Sequence, residues 1–145
     1  MVKTRPLFVV ATLAFGTLFA NVASAQSPGD LYNKCLRSIS QLTKRCQNAV
    51  SDEASDCIPL IKRLLNNGNR DRARQVAEDC VDDINAIVRK CVEELKDRCE
   101  RCARALRQMG APGLADQIMV HCRRAANKMN ETRERAIGAI RDLFS

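Results

Sequence analysis

Tryptophan is absent from this chain, and histidine occurs once, at His121. A single imidazole leaves no pair for a His-based catalytic or zinc site. Aromatic residues are nearly as scarce: one tyrosine and four phenylalanines, three of which (Phe8, Phe15 and Phe19) fall in the first 25 residues. Clefts that stack bases or sugars are therefore disfavoured. Extended apolar–polar alternation is missing, which argues against strands. Beyond residue 25 no stretch is apolar enough to cross a bilayer. What the chain does have is eight cysteines, 24 Lys and Arg against 17 Asp and Glu, and long runs of helix-favouring residues.

The N-terminus reads as an address. Lys3 and Arg5 are followed by an apolar run from Leu7 to Ala20 and by Ala23-Ser24-Ala25. A positive start, an apolar middle and a small-x-small end make a secretory signal peptide, with cleavage expected before Gln26. The run of about 14 residues is short of the roughly 20 that span a bilayer. No cysteine follows the cleavage point to carry a lipid, and no twin-arginine pair precedes the run. The expected organisation is a signal peptide over 1–25 and one disulfide-stapled helical domain over 26–145. The expected location is the periplasm or the cell exterior, where oxidising conditions let disulfides persist.

From residue 30 onwards the pattern is helical. Two turn clusters interrupt it, Asn66-Asn67-Gly68-Asn69 and Gly110-Ala111-Pro112-Gly113. They delimit segments of about 30–66, 70–109 and 113–143. Asp71 can start the second helix, and Pro112 suits the first turn of the third. In the second segment Ala73, Ala77, Cys80, Ile84, Val88, Cys91, Leu95, Cys99, Cys102 and Leu106 recur in steps of four and three that repeat every eleven residues. Eleven residues make three helical turns with about 20° of drift, so one face stays apolar throughout. The first segment keeps the same rhythm through Leu31, Cys35, Ile39, Thr43, Cys46, Val50, Ala54, Cys57, Ile61 and Leu65. Thr43 is its polar intruder, and Leu42 is expected to turn inward instead. A looser stripe marks the third segment through Leu114, Ile118, Cys122, Ala126, Met129, Ile137, Ile140 and Phe144, weakened by Arg133. Pro59 removes a helix hydrogen bond and crowds the preceding turn, so the first helix is expected to be kinked or broken near 52–58.

The cysteine positions constrain the topology. Cys35, Cys46 and Cys57 share one helix face, and Cys80, Cys91 and Cys102 share another. If the two segments fold back antiparallel, Cys57 meets Cys80, Cys46 meets Cys91 and Cys35 meets Cys102, each pair centred between residues 68 and 69. The Asn-rich turn lies at that centre. The remaining pair, Cys99 and Cys122, is centred between residues 110 and 111, inside the second turn. Cys99 and Cys102 lie about 60° apart around the helix, so one can face the first helix and the other the third. A tandem duplication with a 45-residue shift explains the first three spacings equally well, so the fourth pair and the turn positions are the independent support. Each bridge needs Cα atoms within about 7 Å, closer than ordinary helix axes, and Ala54, Ala73 and Ala77 are small enough to allow such an approach. With few bulky core residues, bridges that each stabilise by roughly 2–4 kcal/mol could replace what larger side chains would supply.

The same cysteines are open to other chemistry. Inward-facing thiolates in an exported bundle could bind Cu(I), and copper-storage four-helix bundles are the analogous architecture. Shared ions need cysteines three or four apart, however, and only Cys99 and Cys102 meet that condition. Cys99-Glu100-Arg101-Cys102 is a CxxC, but it lies deep in a helix with no strand beside it, and no histidine follows it for haem attachment. His121, beside Cys122, is assigned no role, and the Asn130-Glu131-Thr132 sequon is read as chance. The paired helices resemble twin CX9C hairpins in being pinned by cysteines. Here the spacing is CX10C, a secretory signal precedes it and a third helix follows, so no function is carried over.

Charge is uneven. Residues 26–97 hold 12 basic and 12 acidic side chains, whereas residues 98–145 hold 10 basic and 5 acidic. Arg101, Arg104 and Arg107 at the end of the second helix, with Arg123, Arg124 and Lys128 on the third, flank one turn and are the candidate binding patch. An anionic polymer, a lipid headgroup or an acidic protein would suit it. A solvated surface that only confers solubility is the plainer alternative. Nucleic acid is disfavoured by the lack of interleaved aromatics or a reading motif. No cofactor, resident metal or acid–base–nucleophile set is indicated. The sequence thus points to an all-α antiparallel three-helix bundle cross-linked by disulfides. Its expected role is that of a non-enzymatic binding or structural protein, with Cu(I) binding as the alternative.

Overall fold

Three long helices account for nearly all of the computed structural model, which describes residues 26–145; the expected signal peptide lies outside the described residues. Helix α1 spans Pro28–Asn66, α2 Arg70–Gln108 and α3 Pro112–Asp142. Local chemistry sets these boundaries. Ser27 caps α1: its hydroxyl accepts from the Asp30 amide at 3.1 Å, and the Asp30 carboxylate accepts from the Ser27 amide. This reciprocal box satisfies two amides that would otherwise lack partners, and Pro28 in the first turn needs none.

Both interhelical turns use one device. Gly68 and Gly110 adopt φ of +77° and +76°, a left-handed conformation that glycine takes without a Cβ penalty. After α1, the Asn69 amide donates to the Leu64 carbonyl and the Gly68 amide to that of Leu65. After α2, Ala111 and Gly110 donate to Leu106 and Arg107 in the same way. These paired bonds close the helix ends and reverse the chain within a few residues. Asn69, not Asp71, caps α2, accepting from the Arg72 amide at 3.4 Å; Asp71 follows in the first turn, where its charge complements the helix dipole.

Helix α1 runs unbroken across 52–58, so of the kink or break expected there the break does not form. Pro59 lies on the exposed side, and so does Ser55, whose carbonyl loses its amide partner. Water can take that carbonyl. The Cys57–Cys80 bridge just before the proline and the fully buried Ile61 just after it anchor both sides of the weak turn.

All three helices pack on one another around a single core. Ile61, Ile84, Leu106, Ile118, Met129 and Ile140 are its largest fully buried side chains. Alanines fill much of the rest, at Ala54, Ala73, Ala77, Ala103, Ala115 and Ala125. Leu42 does turn inward, and Thr43 is buried beside it. The Thr43 hydroxyl donates to the Ile39 carbonyl at 2.8 Å, which removes the cost of hiding it. On α3 the core takes Ala125 in place of the expected Ala126, which packs only at its edge.

Candidate functional site

Four disulfides join the helices: Cys35–Cys102, Cys46–Cys91 and Cys57–Cys80 between α1 and α2, and Cys99–Cys122 between α2 and α3. Their Cα separations fall between 6.1 and 6.3 Å. Unusually close helix axes are not required for this. Each Cα stands about 2.3 Å from its own axis, so facing residues reach bridging distance at the ordinary spacing of 8–10 Å. The rungs repeat because eleven residues return each helix to the same face. Helix α2 is the hub, bonded to both neighbours, while no disulfide joins α1 to α3.

Among the described residues no cysteine is free. The two sulfurs of the CxxC bond to different helices, Cys99 to α3 and Cys102 to α1, and so do not form a dithiol pair. One cluster has the composition of a metal site: ligand atoms of Glu53, Cys57 and Cys80 lie within 4.8 Å of one another. Both sulfurs there belong to a disulfide, which offers no thiolate. The Glu53 carboxyl is pushed above the ordinary glutamate range, first by burial and then by Asp83, which shares a hydrogen bond with it, and by Asp56.

The candidate basic residues separate into two faces. Arg104 and Arg107 line a shallow groove between α2 and α3, with Met119 opposite. Arg124 and Lys128 line a different groove, between α1 and α3. Arg123 is exposed and borders neither of these grooves. Several cations on α2 are already engaged. Arg101 pairs with Asp97 at 3.1 Å, and Arg107 with Asp116 at 3.6 Å. Arg98 binds Glu94 at 2.6 Å and the Ser38 hydroxyl at 3.0 Å, which ties α2 to α1. Lys128, Arg104, Arg123 and Arg124 form no ion pair with a described residue.

The α1–α3 groove has a volume of about 550 Å³ and gains two cations that the sequence reading did not select, Lys44 and Arg135. A usable signal was present. Arg124, Lys128 and Arg135 are spaced by four and seven residues, which places all three on one helical stripe. Lys44 needed knowledge of which face of α1 meets α3. At one end His121 meets the Tyr32 hydroxyl at 3.3 Å, with the rings edge to face. This contact gives the lone histidine a place in the α1–α3 seam. Further along, the Gln47 amide donates to the Thr132 hydroxyl at 3.3 Å, and that hydroxyl donates to the Lys128 carbonyl.

No described helix is long and apolar enough to cross a membrane. Together these features define a small all-α protein, a three-helix bundle cross-linked by four disulfides. Compared with known proteins, the chain matches no family, no curated protein and no solved structure.

Proposed function

We propose that this chain is an exported, non-enzymatic binding protein whose stapled bundle holds basic helix surfaces toward an anionic partner. The observation that carries this reading is the set of exposed cations without counter-ions, Arg104, Arg123, Arg124 and Lys128. A rigid scaffold adds no backbone ordering cost when these cations meet an anion, so only their side chains lose freedom. Four disulfides and a leader-like N-terminus support export, because such bonds persist in oxidising compartments.

The test is a pull-down with the oxidised mature chain beside the triple variant R101E/R104E/R107E and the variant R123E/R124E/K128E. An anionic partner retained by the native chain and lost from either variant supports the reading. A partner retained equally by all three overturns it. The second reading, a Cu(I) protein, requires the cysteines as thiolates, whereas all eight are disulfide-bonded here. Intact mass before and after alkylation separates the two: a loss of eight hydrogens and no alkylation supports staples, whereas free thiols that titrate with Cu(I) support metal binding.

A further inference from the structure

The seam between α1 and α3 differs from the other two in three respects. It has no disulfide across it. It is lined by four cations, Lys44, Arg124, Lys128 and Arg135, against one carboxylate, Glu131. None of the four forms an ion pair with a described residue. The groove continues beyond Arg135 into a second hollow of about 470 Å³, where Ser51, Ser55 and Thr132 add hydroxyls and no acid appears. Between His121 and Ala136 the lining of α3 extends about 22 Å at 1.5 Å per residue.

From this geometry we infer that the α1–α3 groove is the binding site for an extended acidic peptide segment of a partner protein. The inference rests on the anion-binding reading above and narrows it to one groove and one ligand chemistry. Four uncompensated cations set the sign of the ligand. Arg124 and Arg135 present planar forks that match carboxylates two bonds at a time. Ser40, Gln47 and Ser51 along the α1 side offer donors and acceptors to a peptide backbone. An extended chain rises about 3.3 Å per residue, so a groove of this length holds about six or seven residues. Sugars and bases would find no phenylalanine, tyrosine or tryptophan face in this lining. A bilayer would need a convex or flat cationic face, and these cations border a concave seam.

The experiment uses the oxidised mature chain and a fluorescein-labelled heptaglutamate peptide, read by anisotropy at physiological ionic strength. Screening over about 8 Å then limits each substitution to its own surroundings. The native chain is expected to bind. K44E/R124E/K128E/R135E should bind at least tenfold more weakly, and R89E/K90E, exposed on α2 and lining neither groove, should change affinity less than twofold. Far-UV CD and the absence of alkylatable thiols establish that each variant is folded; if the quadruple variant is not, R124E/R135E takes its place with an expected loss of at least threefold. Equal losses from both variants overturn the assignment. Binding of a sulfated polysaccharide or of phosphatidylglycerol vesicles without peptide binding overturns the peptide inference and leaves the broader anion reading standing. No binding to any of the three overturns both.

Discussion

Replacing the outermost bridge, Cys35–Cys102, by two alanines tests whether the rungs act as a nested ladder. Its cysteines are 67 residues apart, against 23 for Cys99–Cys122. Taken singly, loop entropy gives about 4.4 kcal/mol for the longer loop and about 3.4 kcal/mol for the shorter. In the unfolded oxidised chain, however, Cys46–Cys91 already provides a shortcut of eleven residues along each arm between Cys35 and Cys102. The outer bridge then closes an effective loop of about 23 residues and stabilises by about 3.4 kcal/mol. Cys99–Cys122 closes a loop of the same length with no shortcut across it. The variants C35A/C102A and C99A/C122A should therefore lose nearly equal stability, to within about 0.5 kcal/mol of loop entropy, although Cys102 is only partly buried whereas Cys99 and Cys122 are both buried. The assay is urea unfolding of the oxidised mature chains followed by far-UV CD, with slopes fitted separately because a removed cross-link exposes more unfolded surface. A loss from C35A/C102A that exceeds the other by a full kcal/mol would refute the nested description. It would show that each bridge acts over its whole sequence separation.

Other perturbations probe the helices themselves. Gly68→Ala should cost about 1–2 kcal/mol in urea unfolding, because φ is +77° there and an added Cβ meets no neighbour, leaving backbone strain as the only effect. Gly138→Ala should do the opposite, stabilising α3 by about 0.5–1 kcal/mol, since its site is helical and open. Pro59→Ala should raise the thermal midpoint and add about 1–3 kcal/mol, as it restores the amide missing on the exposed side of α1. Glu53→Gln tests linkage. The folded-state pKa of Glu53 is raised, so its contribution is fully present below the ordinary glutamate range and is lost as pH rises through the folded value. The Gln variant should match the native chain in acid and become the more stable of the two as pH rises toward neutrality. A stability difference that does not change with pH would refute this.

The cysteine numbering made most of the architecture legible. Eleven-residue spacing is a property of the helix alone, so the inward faces of α1 and α2 could be read from Cys35, Ile39 and Val50 or from Cys80, Ile84 and Val88 without coordinates. Pairing followed because two glycine-bearing turns sat at the pair centres. Pro59 does not break α1 because its surroundings offset the penalty: an exposed carbonyl partner, a bridge on one side and a buried isoleucine on the other. The basic patch was legible as a charge surplus but not as a place. Arg104 and Arg107 lie six and three residues before Gly110, close to the turn into α3, yet Arg124 and Lys128 line a different groove.

Periodicity, turn chemistry and sulfur register are short-range or symmetric properties, and the amino-acid order by itself determined them: three helices, their reversals and four covalent partners. Which faces of α1 and α3 meet is set by rotation of whole helices about their axes as the Ala-rich core packs. Only the tertiary structure decided that rotation. It brings Lys44 alongside Arg124, Lys128 and Arg135, residues separated by about half the chain, because removing Ile39, Val50, Ile118 and Met129 from water leaves those cations at the rim of the seam.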